Sequence, residues 1–146
     1  MNEIINSTEA RKNWSEVIDT VVRKRPVFIK RNRDVMTFLS LDQLDILLDS
    51  FRLTITVLNE EDGTYTGVIE ELDLLSNADT VEGLIENLAF ELADYSEEYM
   101  GNFDMYYHST NRKAHFPYIY RVIAHEGELD KIKSMFNIKA EEKIHA

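Results

Sequence analysis

Histidines and carboxylates are the side chains of this sequence that could support acid–base chemistry or hold a metal ion. The four histidines are His108, His115, His125 and His145, and no pair has the HExxH spacing of a zinc hydrolase. The sequence also has no Gly-x-Ser-x-Gly segment and no glycine-rich phosphate loop. Acidic runs such as EED are better explained by a solvated surface than by paired catalytic carboxylates. We therefore predict no catalytic residue, no metal site, no cofactor and no enzyme activity.

A catalytic alternative stays open at two of the histidines. His108 and His115 lie on either side of a polar segment and could hold a metal ion with nearby carboxylates, as in a small enzyme. The chain has no cysteine, which excludes disulfides, thiol catalysis and zinc–thiolate sites. Surface or loop histidines are the simpler interpretation, and metal analysis of the purified protein distinguishes the two.

The most unusual segment is RKRPVFIKRNR, residues 23–33, in which six of eleven residues are basic although the chain has a formal net charge of -11. Lysine and arginine contacts to the closely spaced phosphates of duplex DNA release counterions and thereby favour binding. We expect a hairpin and the start of a helix to present such cations to a groove of nucleic acid. They are Arg11, Lys12, Lys30, Arg31 and Arg33. The alternative interpretation is a solvated turn.

The charges of the chain are divided unevenly among three segments. Residues 1–52 contain nine Lys and Arg against eight Asp and Glu, and residues 101–146 contain seven against six. Residues 53–100 contain thirteen Asp and Glu and no Lys or Arg. Such asymmetry suggests different partners for different segments. The acidic segment is either a solvated helix and hairpin or a surface complementary to a basic partner.

The hydrophobic pattern of residues 1–52 predicts the elements that carry the basic side chains. They are a strand at 3–5, a helix at 7–22 capped by Asn6 or Ser7, strands at 27–30 and 35–40, and a leucine-rich helix with a capping box at Ser40 and Gln43. The RNRD segment predicts a hairpin loop in which Asn32 takes a positive φ. Trp14 and Leu39 are predicted core residues. About 50 residues bury only a modest core, so we expect self-association.

Residues 53–146 predict a second unit with a different architecture. LTITVL, TYTGVIEE and LDLLSN are expected to form an antiparallel β-meander, with a hairpin turn at Asp62 and Gly63. The longest helix is expected from Thr80 to about Met100. We expect a loop at 101–117, a strand or helix start at 118–125, a short amphipathic helix containing Met135 and Phe136, and a frayed end from 138. The predicted fold class is α+β.

The sequence has no feature that directs it into or across a membrane. No run of about 18 apolar residues is present. The first residues lack the basic and apolar regions of a secretory signal. We therefore expect a cytoplasmic protein without a membrane partner.

Residues 3–50 resemble the N-terminal domain of the Phd/YefM (RelB-like) antitoxins. Three segments carry the resemblance, namely TEARKN at 8–13, PVFIKR at 26–31 and LSL at 39–41. The resemblance implies a homodimer that binds operator DNA and represses its own operon. It implies DNA contacts by Arg11 and Arg31, with Lys12, Asn13, Lys30 and Arg33 as further candidates. The family usually has glycine in the hairpin, whereas this chain has Asn32, Arg33 and Asp34 there.

Residues 53–100 are similar to the HicB-like antitoxin fold, a β-meander followed by a helix. The DGTY turn and the DTVEGLIENL helix start carry this likeness. Together the two resemblances imply the antitoxin of a type II toxin–antitoxin system that blocks a basic, mRNA-cleaving toxin of the RelE or HicA kind. The expected domains are 1–52 for DNA binding and dimerisation, 53–100 as the acidic HicB-like region, and 101–146 as a tail contributing to toxin binding. The alternative is a stand-alone transcriptional regulator whose second domain senses a ligand or dimerises.

Overall fold

A computed structural model describes residues 4–140 of the 146-residue chain. Glu3, at the start of the first predicted strand, and the predicted frayed end beyond residue 140 lie outside the described residues. The chain divides into two compact units, Met1–Leu47 and Leu48–Ala146, called unit 1 and unit 2 below. The fold is α+β, with one mixed sheet in each unit.

Unit 1 is a three-stranded sheet with short helices. Its strands are β1 (Ile4–Asn6), β2 (Val27–Arg31) and β3 (Asp34–Phe38), and its helices are α1 (Ser7–Lys12), α2 (Trp14–Arg23) and α3 (Leu41–Leu48). Strand β2 is central, parallel to β1 and antiparallel to β3. The strands and α3 lie close to their predicted positions.

The predicted helix over 7–22 is divided in two at Asn13. Asn6 caps α1 as predicted, since its Oδ1 accepts hydrogen bonds from the backbone amides of Thr8 and Glu9 at 2.9 and 3.2 Å. Asn13 leaves the helical conformation at φ -115° and ψ 37°. Its side-chain amide donates to the Glu9 carbonyl at 3.3 Å. The Asn13 backbone amide also donates to the Glu9 carbonyl, at 3.1 Å, so this helical bond is kept and the chain turns immediately after it.

The core of unit 1 is small, and Trp14 lies outside it. Ala10, Val17, Val21 and Val27 are its buried side chains. The prediction that Trp14 is a core residue is wrong, because the side chain is 48% exposed. Its ring stacks on Phe38 at 5.5 Å between centroids. The break at Asn13 starts a new helix at Trp14, and the buried stripe of that helix begins one turn later.

The predicted capping box of α3 is present. The Ser40 backbone amide donates to Gln43 Oε1 at 2.9 Å, and the Gln43 amide donates to Ser40 Oγ at 3.2 Å. The Gln43 side-chain amide also donates to the Val21 carbonyl at 3.2 Å, which ties α3 to α2.

Unit 2 is a four-stranded sheet packed on helices. Its strands are β4 (Leu53–Asn59), β5 (Tyr65–Ile69), β6 (Leu74–Ala78) and β7 (Phe136–Ala140), and its helices are α4 (Val81–Gly101), α5 (Phe103–Tyr107), α6 (Phe116–Ala124) and α7 (Leu129–Ser134). The order is β6-β5-β4-β7. The first three strands form the predicted antiparallel meander, and β7 is parallel to β4.

The long helix α4 is the centre of the unit 2 core. It buries Leu84, Leu88 and Leu92 completely. A side chain at Gly67 of β5 would bring its Cβ to 2.8 Å from Leu84 Cδ2, so glycine allows the sheet to approach the helix closely. Thr80 caps α4 by accepting a hydrogen bond from the Gly83 amide at 3.0 Å. None of the described helices is long and apolar enough to cross a membrane.

Residues 101–140 are more ordered than the sequence predicts. The expected loop contains α5 and a 3₁₀ turn at Lys113–His115. Phe136 lies in β7, opposite Leu53, and not in the predicted amphipathic helix. The described part of the predicted frayed end, residues 138–140, continues that strand. The reason is tertiary: β7 pairs with a strand more than 80 residues earlier in the chain, a contact that local patterns do not reveal.

Candidate functional site

The β2–β3 hairpin presents three of the predicted site residues at its tip. Arg31 pairs with Asp34, which leaves a loop of only two residues, Asn32 and Arg33. Asn32 has a φ of 54°, so the predicted left-handed conformation is confirmed. Lys30, Arg31 and Arg33 are all exposed. The short loop therefore holds these cations on the end of a rigid ladder.

The parallel pairing of β1 with β2 brings the start of α1 to the same end of the sheet. Asn6 is paired with Lys30, and α1 begins at the next residue, Ser7. Arg11 and Lys12 are exposed in the last turn of α1. At 1.5 Å per residue, Arg11 lies about 6 Å beyond Ser7 along the helix axis. Asn13 is also exposed, but its side-chain amide bonds to the Glu9 carbonyl.

The basic segment at 23–33 is divided between two ends of unit 1. Arg23 ends α2, and Lys24 follows it as the C-cap, at the start of β2. Lys30 and Arg31 lie at the other end of that five-residue strand, about 13 Å away at 3.3 Å per residue. A cation at the end of a helix interacts favourably with the helix dipole. Helix stability therefore explains the cations at the end of α2, but it does not explain the cations of the hairpin.

Unit 1 also exposes an unusual amount of apolar surface. Ten large apolar side chains of its described residues are exposed, whereas its buried core consists of three valines and one alanine. They are Ile4, Trp14, Ile18, Val22, Phe28, Val35, Met36, Leu41, Ile46 and Leu47. Apolar surface of this extent on a small unit is typical of an association surface.

Unit 2 has an acidic surface on α4 and on the β4–β5 turn. Glu82, Glu91, Asp94 and Glu97 are exposed on α4, and the last turn of this helix contains no basic residue. Asp94 and Glu97 are three positions apart and therefore neighbours on the helix surface, so their like charges repel. Nothing in residues 53–100 neutralises this charge, because the segment has no Lys or Arg.

Among the acidic side chains of unit 2, Asp62 and Glu86 have partners within the unit. Asp62, in the predicted hairpin turn, accepts hydrogen bonds from the Thr64 hydroxyl at 2.6 Å and the Thr64 amide at 2.9 Å. These bonds lower the pKa of the Asp62 carboxyl. Gly63 follows with a φ of 87°. Glu86 forms an ion pair with Lys133 of α7.

A network of Tyr95, Arg112 and His115 is present that the sequence pattern does not predict. The Tyr95 hydroxyl lies 2.7 Å from His115 Nδ1, and Arg112 Nη1 donates to the same hydroxyl oxygen at 3.2 Å. The guanidinium also lies over the rings of Tyr95 and Tyr106, at 5.4 and 5.2 Å from their centroids. The Tyr99 hydroxyl donates to the Arg112 carbonyl at 2.8 Å. Tyrosines of α4 thus hold the segment before α6.

The network changes the proton affinities of its members. Burial lowers the pKa of His115, and the nearby Arg112 charge lowers it further. Burial raises the pKa of the Tyr95 hydroxyl. His108, the other candidate metal ligand, is separate and contacts Asp104 Oδ1 at 3.2 Å. Across residues 4–140, no three potential metal ligands lie together.

The comparisons with known proteins agree with a two-unit antitoxin. The PHD_like family model, described as "Antitoxin of toxin-antitoxin, RelE / RelB, TA system", matches residues 1–138. The chain therefore belongs to the PHD_like antitoxin family, which is non-enzymatic, as predicted. No curated protein matches the chain.

A crystal structure shows the same fold across both units. It is that of the antitoxin part of a candidate toxin/antitoxin system from Syntrophomonas wolfei subsp. wolfei. The two chains are 36% identical, with a TM-score of 0.88, and the alignment covers 94% of this chain and 99% of the other. The similarity extends over residues of both units, so the two-unit architecture is shared with that antitoxin.

Proposed function

We propose that this antitoxin of a RelE/RelB-type system divides its work between its units. Unit 1 forms a homodimer, binds operator DNA and represses its own operon. Unit 2 binds and blocks a basic, mRNA-cleaving toxin of the RelE or HicA kind in the cytoplasm. Membership of the antitoxin family implies a cognate toxin; the assignment of each role to a unit is the proposal.

The observation that carries the DNA-binding role is the geometry of the hairpin tip. Arg33 lies in the two-residue loop, Lys30 and Arg31 lie at the end of β2 that this loop closes, and the start of α1 lies beside Lys30. A rigid hairpin and an adjacent helix can place several cations along one phosphate backbone at once. Arg11 and Arg31 are the proposed principal contacts, with Lys12, Asn13, Lys30 and Arg33 as additional ones.

The homodimer follows from the imbalance between buried and exposed apolar residues in unit 1. A second copy would cover side chains such as Ile46 and Leu47, which are 78% and 64% exposed. It would also double the number of cations available to a palindromic operator, because a two-fold protein repeats each contact on the second half-site.

The toxin-binding role rests on the charge of unit 2. Its exposed acidic residues on α4 complement a protein that must be basic to cleave RNA, and complementary charge increases association rate and specificity. The order of meander and long helix is also the order expected for a HicB-like region. The segment 101–140 belongs to the same core and is proposed to contribute to toxin binding as part of unit 2.

Fluorescence anisotropy with duplex DNA from upstream of the gene tests the DNA-binding role. Across a salt series, neutralisation of about six phosphates would give a slope of log K against log salt of roughly -5. Arg11→Ala and Arg31→Ala are expected to weaken binding and to reduce that slope. Arg23→Ala is the matched control, because it removes an exposed arginine at the other end of β2.

The interpretation of that experiment depends on the control. If Arg23→Ala weakens binding as much as Arg31→Ala, the hairpin tip has no special role and binding follows total charge. Absence of binding by the wild-type protein at low salt would overturn the operator role. Circular dichroism of each variant ensures that a loss of binding is not a loss of folding.

A further inference from the structure

Unit 2 contains a cleft for which the antitoxin role gives no use. Its volume is about 430 Å³, within the range of small-molecule sites. The lining residues are Leu72, Asp73, Leu74, Tyr95, Asn111, Arg112 and His115. One wall is the turn between β5 and β6, and the other is the segment that precedes α6 together with Tyr95 of α4.

The wall formed by Arg112 and His115 offers hydrogen-bond donors in fixed positions. Arginine can only donate, so the Tyr95 oxygen accepts from Arg112 and its own hydrogen is available to His115 Nδ1. We assign the His115 proton to Nε2, because this tautomer uses every group in the network. The remaining N–H groups of Arg112, the Nε2–H of His115 and the Asn111 amide can then donate to a ligand.

The opposite wall offers one carboxylate between two leucines. Asp73 is exposed and adopts a left-handed φ of 58°. It lines the same cleft as Arg112 and His115. Within residues 4–140, Asp73 and Arg112 form no ion pair with each other. Both charges are therefore available to a ligand. Leu74, which is half-buried, adds apolar surface beside it, whereas Leu72 is buried in the core of unit 2.

We propose that this cleft binds a zwitterionic α-amino acid with an apolar side chain. Arg112 and the neutral imidazole of His115 match a carboxylate, for which the arginine fork has the right geometry. Asp73 matches the ammonium group, and Leu74 contacts the apolar side chain. The site has one cation and one anion, so a ligand without net charge fits best. A dianion such as phosphate is opposed by Asp73 and by the acidity of unit 2.

Isothermal titration calorimetry of the full chain at neutral pH with L-leucine tests the proposal. Three analogues separate its parts: 4-methylpentanoate lacks the ammonium group, L-leucinamide lacks the carboxylate, and inorganic phosphate supplies only an anion. We expect L-leucine to bind, both single-group analogues to bind at least tenfold more weakly, and phosphate not to compete. Failure of L-leucine to bind, or equal binding of either analogue or of phosphate, overturns the proposal.

Variants locate the binding in the cleft. Arg112→Gln and Asp73→Asn are each expected to weaken L-leucine binding at least tenfold. Asp73 is exposed, so its variant stays informative if Arg112→Gln is unstable. Lys113→Gln is the matched control, because Lys113 is the neighbouring cation, lies over the Tyr107 ring and does not line the cleft. Unchanged binding by Asp73→Asn, or an equal loss in Lys113→Gln, would overturn the assignment.

Discussion

The two units of this antitoxin differ in how many of their apolar side chains are buried in a core. Unit 2 buries a single cluster of fifteen residues drawn from its strands and helices, including Leu53, Leu88 and Phe136. Unit 1 buries four and exposes ten large apolar ones within the described residues. Unit 2 has the core of an independent domain, whereas the exposed apolar side chains of unit 1 support the proposal that this unit is completed by association. The proposal gives the chain two different sources of stability, a packed core in unit 2 and association in unit 1.

This difference predicts which property a substitution changes in each unit. In unit 2, a loss of apolar contacts lowers the free energy of unfolding directly. The proposed homodimer predicts that a comparable loss in unit 1 weakens association first and stability only through it, since association stabilises the folded state by mass action. Substitutions of apolar residues in the two units therefore test whether the units differ in this way.

The largest effect is expected from a cavity in unit 2. Leu88 is completely buried between α4 and the sheet, so Leu88→Ala should lower the free energy of unfolding by about 2–5 kcal/mol. Chemical denaturation monitored by circular dichroism measures it. The expected loss does not depend on protein concentration. A loss below about 1 kcal/mol would mean that the unit 2 core is not packed around α4 as described.

The next largest effect is expected at the exposed apolar surface of unit 1. Ile46→Gln removes an apolar side chain that a partner copy would bury, which is worth about 1.5–3 kcal/mol. The dimer dissociation constant should therefore rise roughly tenfold or more, as measured by sedimentation. Glutamine keeps a helix propensity similar to that of ordinary helix-forming residues, so α3 itself should persist.

Leu75→Thr in unit 2 is the control for that substitution. Leu75 is 62% exposed on β6, comparable with Ile46 at 78%, and threonine suits a strand. We expect Leu75→Thr to leave the dissociation constant unchanged. If both variants weaken the dimer equally, or neither does, exposed apolar surface in unit 1 has no special role.

An acid-sensitive contribution to stability is expected in unit 2 at His115. Its pKa is below the ordinary value of 6.5 in the folded chain, so the folded state favours neutral imidazole. As the pH falls below about 6.5, the unfolded chain takes up a proton that the folded chain does not, and stability is lost. The melting temperature should fall more between pH 7.5 and 5.5 for the wild type than for His115→Gln. Equal losses in both proteins would contradict the prediction.

Local chemistry predicted much of unit 1. The Asn6 cap and the Ser40–Gln43 capping box follow from side chains that bond to the neighbouring backbone. The positive φ of Asn32 follows from the tolerance of asparagine for the left-handed conformation in a short turn. A continuous helix over 7–22 predicts a core position for Trp14, and the observed helix is not continuous. The break lies in the non-helical backbone angles of Asn13, which the spacing of apolar residues does not reveal.

Long-range contacts account for what could not be predicted in unit 2. Strand β7 exists because Phe136 pairs beside Leu53, and the Tyr95–Arg112–His115 network forms because α4 passes the segment before α6. Neither contact leaves a periodic pattern in the sequence. The residue types in the sequence are enough to predict which cations are candidates. Only the register of Asn6 with Lys30 shows that α1 starts beside the end of the hairpin.

The smallest predicted effect concerns the acidic face of α4 and compares the two ends of one helix. Glu97 lies near the C-terminal end, where a negative charge opposes the helix dipole, and Asp94 repels it one turn away. Glu97→Gln should therefore raise the free energy of unfolding by about 0.2–0.5 kcal/mol. Glu82→Gln, the same change in the first turn, should lower it by about 0.3–1 kcal/mol, because that charge is favourable there. Differential scanning calorimetry at low salt measures both. Changes of opposite sign in the free energy of unfolding would mean that Glu97 lowers the stability of unit 2, as is expected of a residue that serves a basic partner. Changes of equal sign would remove this argument for α4 as the toxin-binding surface.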